Sequence, residues 1–173
     1  MTAINQEFEA FVRSRGPALL RFAYVLTSDA ALAEDLVQEA VLKVYKQWGK
    51  VMVAEHPEAY LKRIVINEYI SWRRRRRNGE VPGEVPDLMT GAAAESVVEE
   101  RDSIWRAMAD LSPRQRAALV LRFYEDLPEE EIARILGCAG GTVRSLTTRA
   151  LDTLRAHPQL SRVARTAISP GDA

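Results

Sequence analysis

Cysteine is almost missing from this chain. Cys138 is the only one, so no intramolecular disulfide can form. Histidine is nearly as scarce. His56 and His157 are the only two, and neither stands at metal-ligand spacing from Cys138, so no bound metal is expected. No apolar run approaches the roughly eighteen residues of a membrane span. The first residues, MTAINQEFEAFVRSRG, lack the apolar core of a signal peptide. These absences predict a soluble, cytoplasmic protein with no membrane association and no cofactor. There is no internal repeat and no credible strand. No nucleophile–base pair and no glycine-rich phosphate loop is present. The consecutive carboxylates Glu129, Glu130 and Glu131 splay around a helix instead of converging on one point. An enzyme is therefore not expected.

Net charge is also absent, with 24 basic and 24 acidic residues. A zero mean argues against a nucleic-acid partner until its distribution is read. Residues 1–77 carry 13 Lys/Arg against 9 Asp/Glu, residues 78–100 carry 6 acids and no base, and residues 101–173 carry 11 Arg against 9 acids. Two basic blocks flank an acidic connector.

What is present is helical periodicity. Phe8, Phe11, Val12, Leu19, Phe22, Ala23 and Leu26 recur at three- and four-residue steps, with Pro17 placed to start a second helix. Thr27-Ser28-Asp29 opens a further helix with Leu32, Leu36, Val37, Ala40, Val44 and Trp48 inside, and Gly49 is expected to end it. Another helix runs from Pro57 to Arg77. Residues 78–98, with three Gly and two Pro, cannot bury enough apolar surface to order themselves and read as a flexible tether. Ile104, Trp105, Met108 and Leu111 then begin a second lobe, and Ser112-Pro113 caps SPRQRAALVLRFYEDL as one helix. The expected architecture is all-α. Two small helical domains, 1–77 and 99–157, are joined by a flexible acidic linker at 78–98 and followed by a tail at 158–173.

The second lobe ends in a helix-turn-helix pattern. In PEEEIARILGCAGGTVRSLTTRALDTLR, Ile132, Ala133 and Leu136 share one face and Gly137 stops the helix. Val143, Ala150 and Leu154 form the inner face of the next helix. Arg144, Ser145, Thr148, Arg149, Asp152 and Arg155 fall opposite, and Thr142 stands at the helix start. Such a second helix enters the DNA major groove.

Arg73 to Arg77 form an unbroken run at the end of the first lobe. Cations suit a helix C-terminus, but five in a row repel one another, and a phosphate backbone would relieve that repulsion. Tyr60, Lys62, Arg63, Asn67, Tyr69 and Trp72 precede them. The aromatics admit two roles, stacking on unpaired bases or filling the core. The cluster Glu34, Asp35, Gln38, Glu39 also admits two, a solvated face or a protein-binding patch.

The blocks EFEAFVRSRGPALLRFAYVLT, AEDLVQEAVLKVY, HPEAYLKRIVINEYISWRRRRR, LSPRQRAALVLRFYEDLPEEEIARILGC and GTVRSLTTRAL resemble, in sequence and order, the extracytoplasmic-function group of bacterial RNA polymerase sigma factors, with a similarity to its actinobacterial SigE-like subgroup. The resemblance covers about 5–77 and 99–156. It implies a transcription initiation factor that binds core RNA polymerase and directs it to promoter DNA. By that resemblance, Asp35, Gln38 and Glu39 meet the clamp helices of the largest subunit. Tyr60, Lys62, Arg63, Asn67, Arg73, Arg74, Arg76 and Arg77 read and melt the downstream (−10) element. The loop from Gly49 to Glu55 receives a flipped-out base, and the acidic tether threads toward the RNA exit path. Thr142, Arg144, Ser145, Thr148 and Arg149 read the upstream (−35) element while the second lobe rests on the flap of the second-largest subunit. An anti-sigma factor is left open as a further partner. A stand-alone helix-turn-helix repressor would explain residues 128–155, but not the AEDLVQE and WRRRRR blocks. The turn departs from the family: Ala139 stands where a capping side chain is usual, Gly140 where a bulkier residue is usual, and Leu146 at an often polar position.

Overall fold

The structure is a computed structural model that describes residues 3–53, 56–80, 103–158 and 160. Among these every regular element is helical. Residues 81–98 of the expected linker, and all of the expected tail except Pro158 and Leu160, lie outside the described residues.

The first lobe is built from α1 (Ala3–Thr27), α2 (Ala30–Lys46), α3 (Trp48–Met52) and α4 (Pro57–Arg77). α1 does not break at Pro17 as expected, but runs unbroken through it. A mid-helix proline costs about 3 kcal/mol. The side chains either side of it offset that cost, because Leu19, Phe22, Ala23 and Leu26 are all buried and Phe8 and Phe11 pack against the same core. Burying one such large side chain contributes about 1.5–3 kcal/mol. α1 ends where Ser28 adopts a left-handed conformation, φ 58°. Asp29 then caps α2 by accepting a hydrogen bond from the Leu32 amide at 3.0 Å.

Gly49 does not end the helix either. α2 stops three residues earlier, and the chain turns once more as α3 with Gly49 inside it. The cause is Trp48. Its indole sits 5.1 Å from the rings of both Phe8 and Phe11, and holding it there re-aims the backbone. The expected base-receiving loop is therefore largely helical, while Ala54 and Glu55 lie outside the described residues.

The second lobe begins with a helix over residues 103–109 (α5). A capping box follows. Ser112 Oγ accepts from the Gln115 amide at 3.2 Å, Gln115 Oε1 accepts from the Ser112 amide at 3.0 Å, and Pro113 starts α6 (Pro113–Leu119). The helix expected over SPRQRAALVLRFYEDL is only partly α-helical, because Val120–Tyr124 widens into a π turn. α7 (Glu129–Leu136) and α8 (Gly140–Ala156) complete the lobe. The two lobes are in contact: α6 and α7 pack against α4, and the π turn touches α1.

Candidate nucleic-acid interface

α7 and α8 form a helix-turn-helix. Ile132, Ile135 and Leu136 of α7 and Val143 and Ala150 of α8 are buried against the lobe. Gly137 ends α7 in the left-handed region, φ 62°, a conformation that glycine adopts at little cost. Thr142, Arg144, Ser145, Thr148 and Arg149 are all exposed, so α8 presents one continuous polar face. Leu146 is half-buried and packs against the core.

The start of α8 shows what Ala139 and Gly140 do. Ala139 supplies no side-chain cap. Instead Glu129, from the first turn of α7, lays its carboxylate over Gly140. A Cβ at residue 140 would stand 2.7 Å from Glu129 Oε1, so the glycine makes room for the carboxylate. Arg144 Nε donates to both oxygens of Glu129, at 3.0 and 2.9 Å. That hydrogen bond holds the Glu129 carboxyl below its ordinary value and raises the Arg144 guanidinium above its own. An acidic group beside a helix N-terminus also suits the macrodipole. A carboxylate eleven residues upstream of Gly140 thus stands at the start of α8, where Ala139 supplies no side-chain cap.

α4 carries the second set. Asn67 and Arg63 are exposed, as are Arg74, Arg75 and Arg77. Tyr60 is half-buried and donates to Gln47 Oε1 at 3.0 Å. Tyr69 is core, 1% exposed, which settles its role as packing. Its hydroxyl accepts from Arg73 at 2.8 Å. Arg76 lies 5.2 Å above the half-buried Trp72 ring, a cation–π contact that stiffens the arginine run. Lys62 is engaged in an ion pair with Glu125, just beyond the π turn. Arg63 lies against the backbone of Gly137, 3.3 Å from where a Cβ would be.

The third set is on α2. Asp35, Gln38 and Glu39 are exposed on the side away from the buried Leu32, Leu36 and Ala40. Glu39 is 3.8 Å from Lys43, whose ammonium is bonded chiefly to Glu68 of α4; that hydrogen bond raises the Lys43 pKa.

Sequence reasoning missed Glu129, Glu125 and Arg116. Arg116 is buried, 3% exposed, and donates to the Val25 carbonyl at 3.4 Å and to Ser28 Oγ, both in the first lobe. Burial lowers its pKa. No local signal marks it, since SPRQRAAL reads as a capped helix with solvated arginines. Among the described residues no cluster of three or more metal-ligating side chains occurs, and no helix is long and apolar enough to cross a membrane.

Residues 11–79 match the family model of sigma-70 region 2, and residues 101–154 match that of sigma-70, region 4. The RNA polymerase sigma-E factor of Streptomyces avermitilis is 39% identical over 86% of this chain and 83% of its own length. The ECF RNA polymerase sigma factor SigL of Mycobacterium tuberculosis is 33% identical over 79% of this chain and 80% of its own length. Among solved structures, the sigma factor RpoE in complex with the anti-sigma factor NepR from Bartonella quintana matches with a TM-score of 0.68 and 28% identity, covering 91% of this chain and 98% of that one.

Proposed function

Because the chain belongs to the extracytoplasmic-function RNA polymerase sigma factors of the sigma-70 family, we propose which of its surfaces perform each part of that work. A sigma factor of this kind directs polymerase to promoters. α8 is the reader of the upstream element, with Arg144, Ser145, Thr148 and Arg149 toward the base edges and Thr142 toward the backbone. α4 is the surface that reads and melts the downstream element, through Tyr60, Lys62, Arg63, Asn67, Arg73, Arg74, Arg76 and Arg77. The outer face of α2, with Asp35, Gln38 and Glu39, docks on the clamp helices of the largest subunit, and the second lobe rests on the flap of the second-largest. The polymerase performs the chemistry of RNA synthesis, and this chain, working in the cytoplasm, has no catalytic site of its own. An anti-sigma factor is a fitting further partner, since the similar RpoE is held by one. Regions 1–77 and 99–157 act as separate reading units.

The observation that carries this reading is the sidedness of α8. Val143 and Ala150 are buried while the whole polar set opposite is exposed. Arg144 also braces the start of α8 through Glu129, whereas Arg149, Thr142, Ser145 and Thr148 stand exposed in the same outward row. The test is run-off transcription by core polymerase with and without this protein on a library of bipartite promoters. Specific initiation is the expected result. Tight sequence-specific duplex binding by the protein alone, with no effect on initiation, would instead assign it to the repressors.

A further inference from the structure

We propose that Glu129 is a positioning residue for promoter choice: it holds the Arg144 guanidinium ready for a guanine in the upstream element and withholds it from the phosphate backbone. This rests on the reading of α8 as the helix that enters the major groove. Arg144 Nε donates to both oxygens of Glu129, at 3.0 and 2.9 Å. Its Nη1 and Nη2 have no hydrogen-bond partner among the described residues, on a side chain that is 75% exposed. The carboxylate thus takes the donor nearest the chain and leaves the terminal fork whole. Such a fork matches the paired acceptors O6 and N7 of guanine, whereas adenine offers an acceptor beside a donor on the same edge.

The fold sets this brace in place. Glu129 opens α7 and Arg144 lies near the start of α8, so their contact spans the turn at Gly137. Gly140 keeps the space between them open, since a Cβ there would stand 2.7 Å from Glu129 Oε1. Arg149 is the contrast on the same face: it is exposed, and its side chain has no partner among the described residues. An arginine without a brace reaches base edges and phosphates alike, and a phosphate contact carries no sequence information. The Glu129 charge lowers general affinity, because it repels the backbone that Arg144 would otherwise reach. What it adds is a difference between the right base and a wrong one. A long side chain fixed in advance avoids the ordering cost of binding, which is about two- to tenfold in affinity for the matching base.

The experiment is transcription by core polymerase with the full chain on promoters randomised through the upstream element, read as relative initiation for each base at each position. Arg144→Ala identifies the base pair that Arg144 reads, by the preference it abolishes. Glu129→Ala should reduce the guanine preference at that pair about two- to tenfold. It also removes a negative charge, so charge alone predicts stronger initiation on every sequence and no change of preference. Gly140→Ala displaces the carboxylate without altering net charge, and should relax the same preference. It carries the test if circular dichroism shows that Glu129→Ala is unfolded. Gly141→Ala, where a Cβ meets nothing within 4 Å, should leave every preference intact. In the Arg144→Ala background, Glu129→Ala should relax nothing further. A brace that serves the helix alone would change melting temperature and overall initiation with all base preferences kept, and that result would overturn the proposal. If Arg144→Ala itself altered no preference, Arg144 would read no base, and the reading beneath the proposal would fall with it.

Discussion

Gly140 and Gly141 are neighbours in the first turn of α8, yet replacing them by alanine should have different consequences. Glycine in a helix is less favourable than alanine by about 0.5–1 kcal/mol, because the unfolded chain loses more freedom. Both glycines have ordinary helical backbone, and positive φ among the described glycines is confined to Gly79 and Gly137. At Gly141 a Cβ meets nothing within 4 Å. Gly141→Ala should therefore stabilise the second lobe by most of that amount. For a domain of this size a gain of about 0.5–1 kcal/mol raises the melting temperature by about 2–8 °C. At Gly140 the new Cβ would stand 2.7 Å from Glu129 Oε1. That carboxylate ends a flexible side chain, so it moves aside, and in moving it gives up Arg144 and its place beside the helix N-terminus. The gain and the loss are of similar size, so Gly140→Ala should leave the melting temperature nearly unchanged. The assay is thermal denaturation followed by circular dichroism, completed as a double-mutant cycle with Glu129→Ala. In the Glu129→Ala background, Gly140→Ala should stabilise as much as Gly141→Ala does. Equal stabilisation by both substitutions in the unaltered chain would refute the assigned role of Glu129.

Asp35→Ala combined with Gln38→Ala should weaken binding to core polymerase and leave the helical circular dichroism unchanged, because both side chains are exposed; unchanged affinity in a pull-down titration would remove α2 from the interface. Arg149→Ala should cost about 1–3 kcal/mol at one upstream base pair and relax preference there. Arg74→Ala should instead lower initiation on every promoter and reduce the salt slope by about one, so transcription on upstream variants at two salt concentrations separates them. The Glu129 carboxyl is depressed in the folded state by its hydrogen bond to Arg144. A depressed acid adds stability above its unfolded pKa and loses it as pH falls through the folded value. Urea midpoints of the wild type and of Glu129→Gln should thus differ near neutrality and converge below the ordinary carboxylate value of 4.5.

Much of this architecture is legible because helical spacing reports burial directly. The inner and outer faces of α8 follow from the seven-residue step between Val143 and Ala150, and the buried residues are those. Ser112 and Asp29 act as caps, as their chemistry dictates. Pro17 and Gly49 mislead for one shared reason. Each is a local breaker overruled by distant packing, Pro17 by the buried stripe of α1 and Gly49 by the aromatic seat of Trp48. Most of the rest depends on residues far apart in sequence. Glu129 reaches Gly140 only after the chain turns back at Gly137. Arg116 meets Ser28 from 88 positions away. The π turn before Glu125 has no spacing signal, because LVLRFY carries the same apolar step as an ordinary helix.

The three tryptophans stand in three different surroundings. Trp48 is sealed among Phe8 and Phe11, 4% exposed. Trp72 lies beneath Arg76 on the arginine-bearing end of α4. Trp105, from the second lobe, meets Tyr24 of α1 edge-on at 6.4 Å. Intrinsic fluorescence therefore divides cleanly. Emission from Trp48 reports only whether the first lobe is folded. Trp72 reports on the arginine-bearing end of α4, and Trp105 reports on its contact with Tyr24. Two Trp→Phe replacements at a time give three chains, each with one tryptophan, whose own light reports separately on the first-lobe core, on the arginine-bearing end of α4 and on the contact between the lobes.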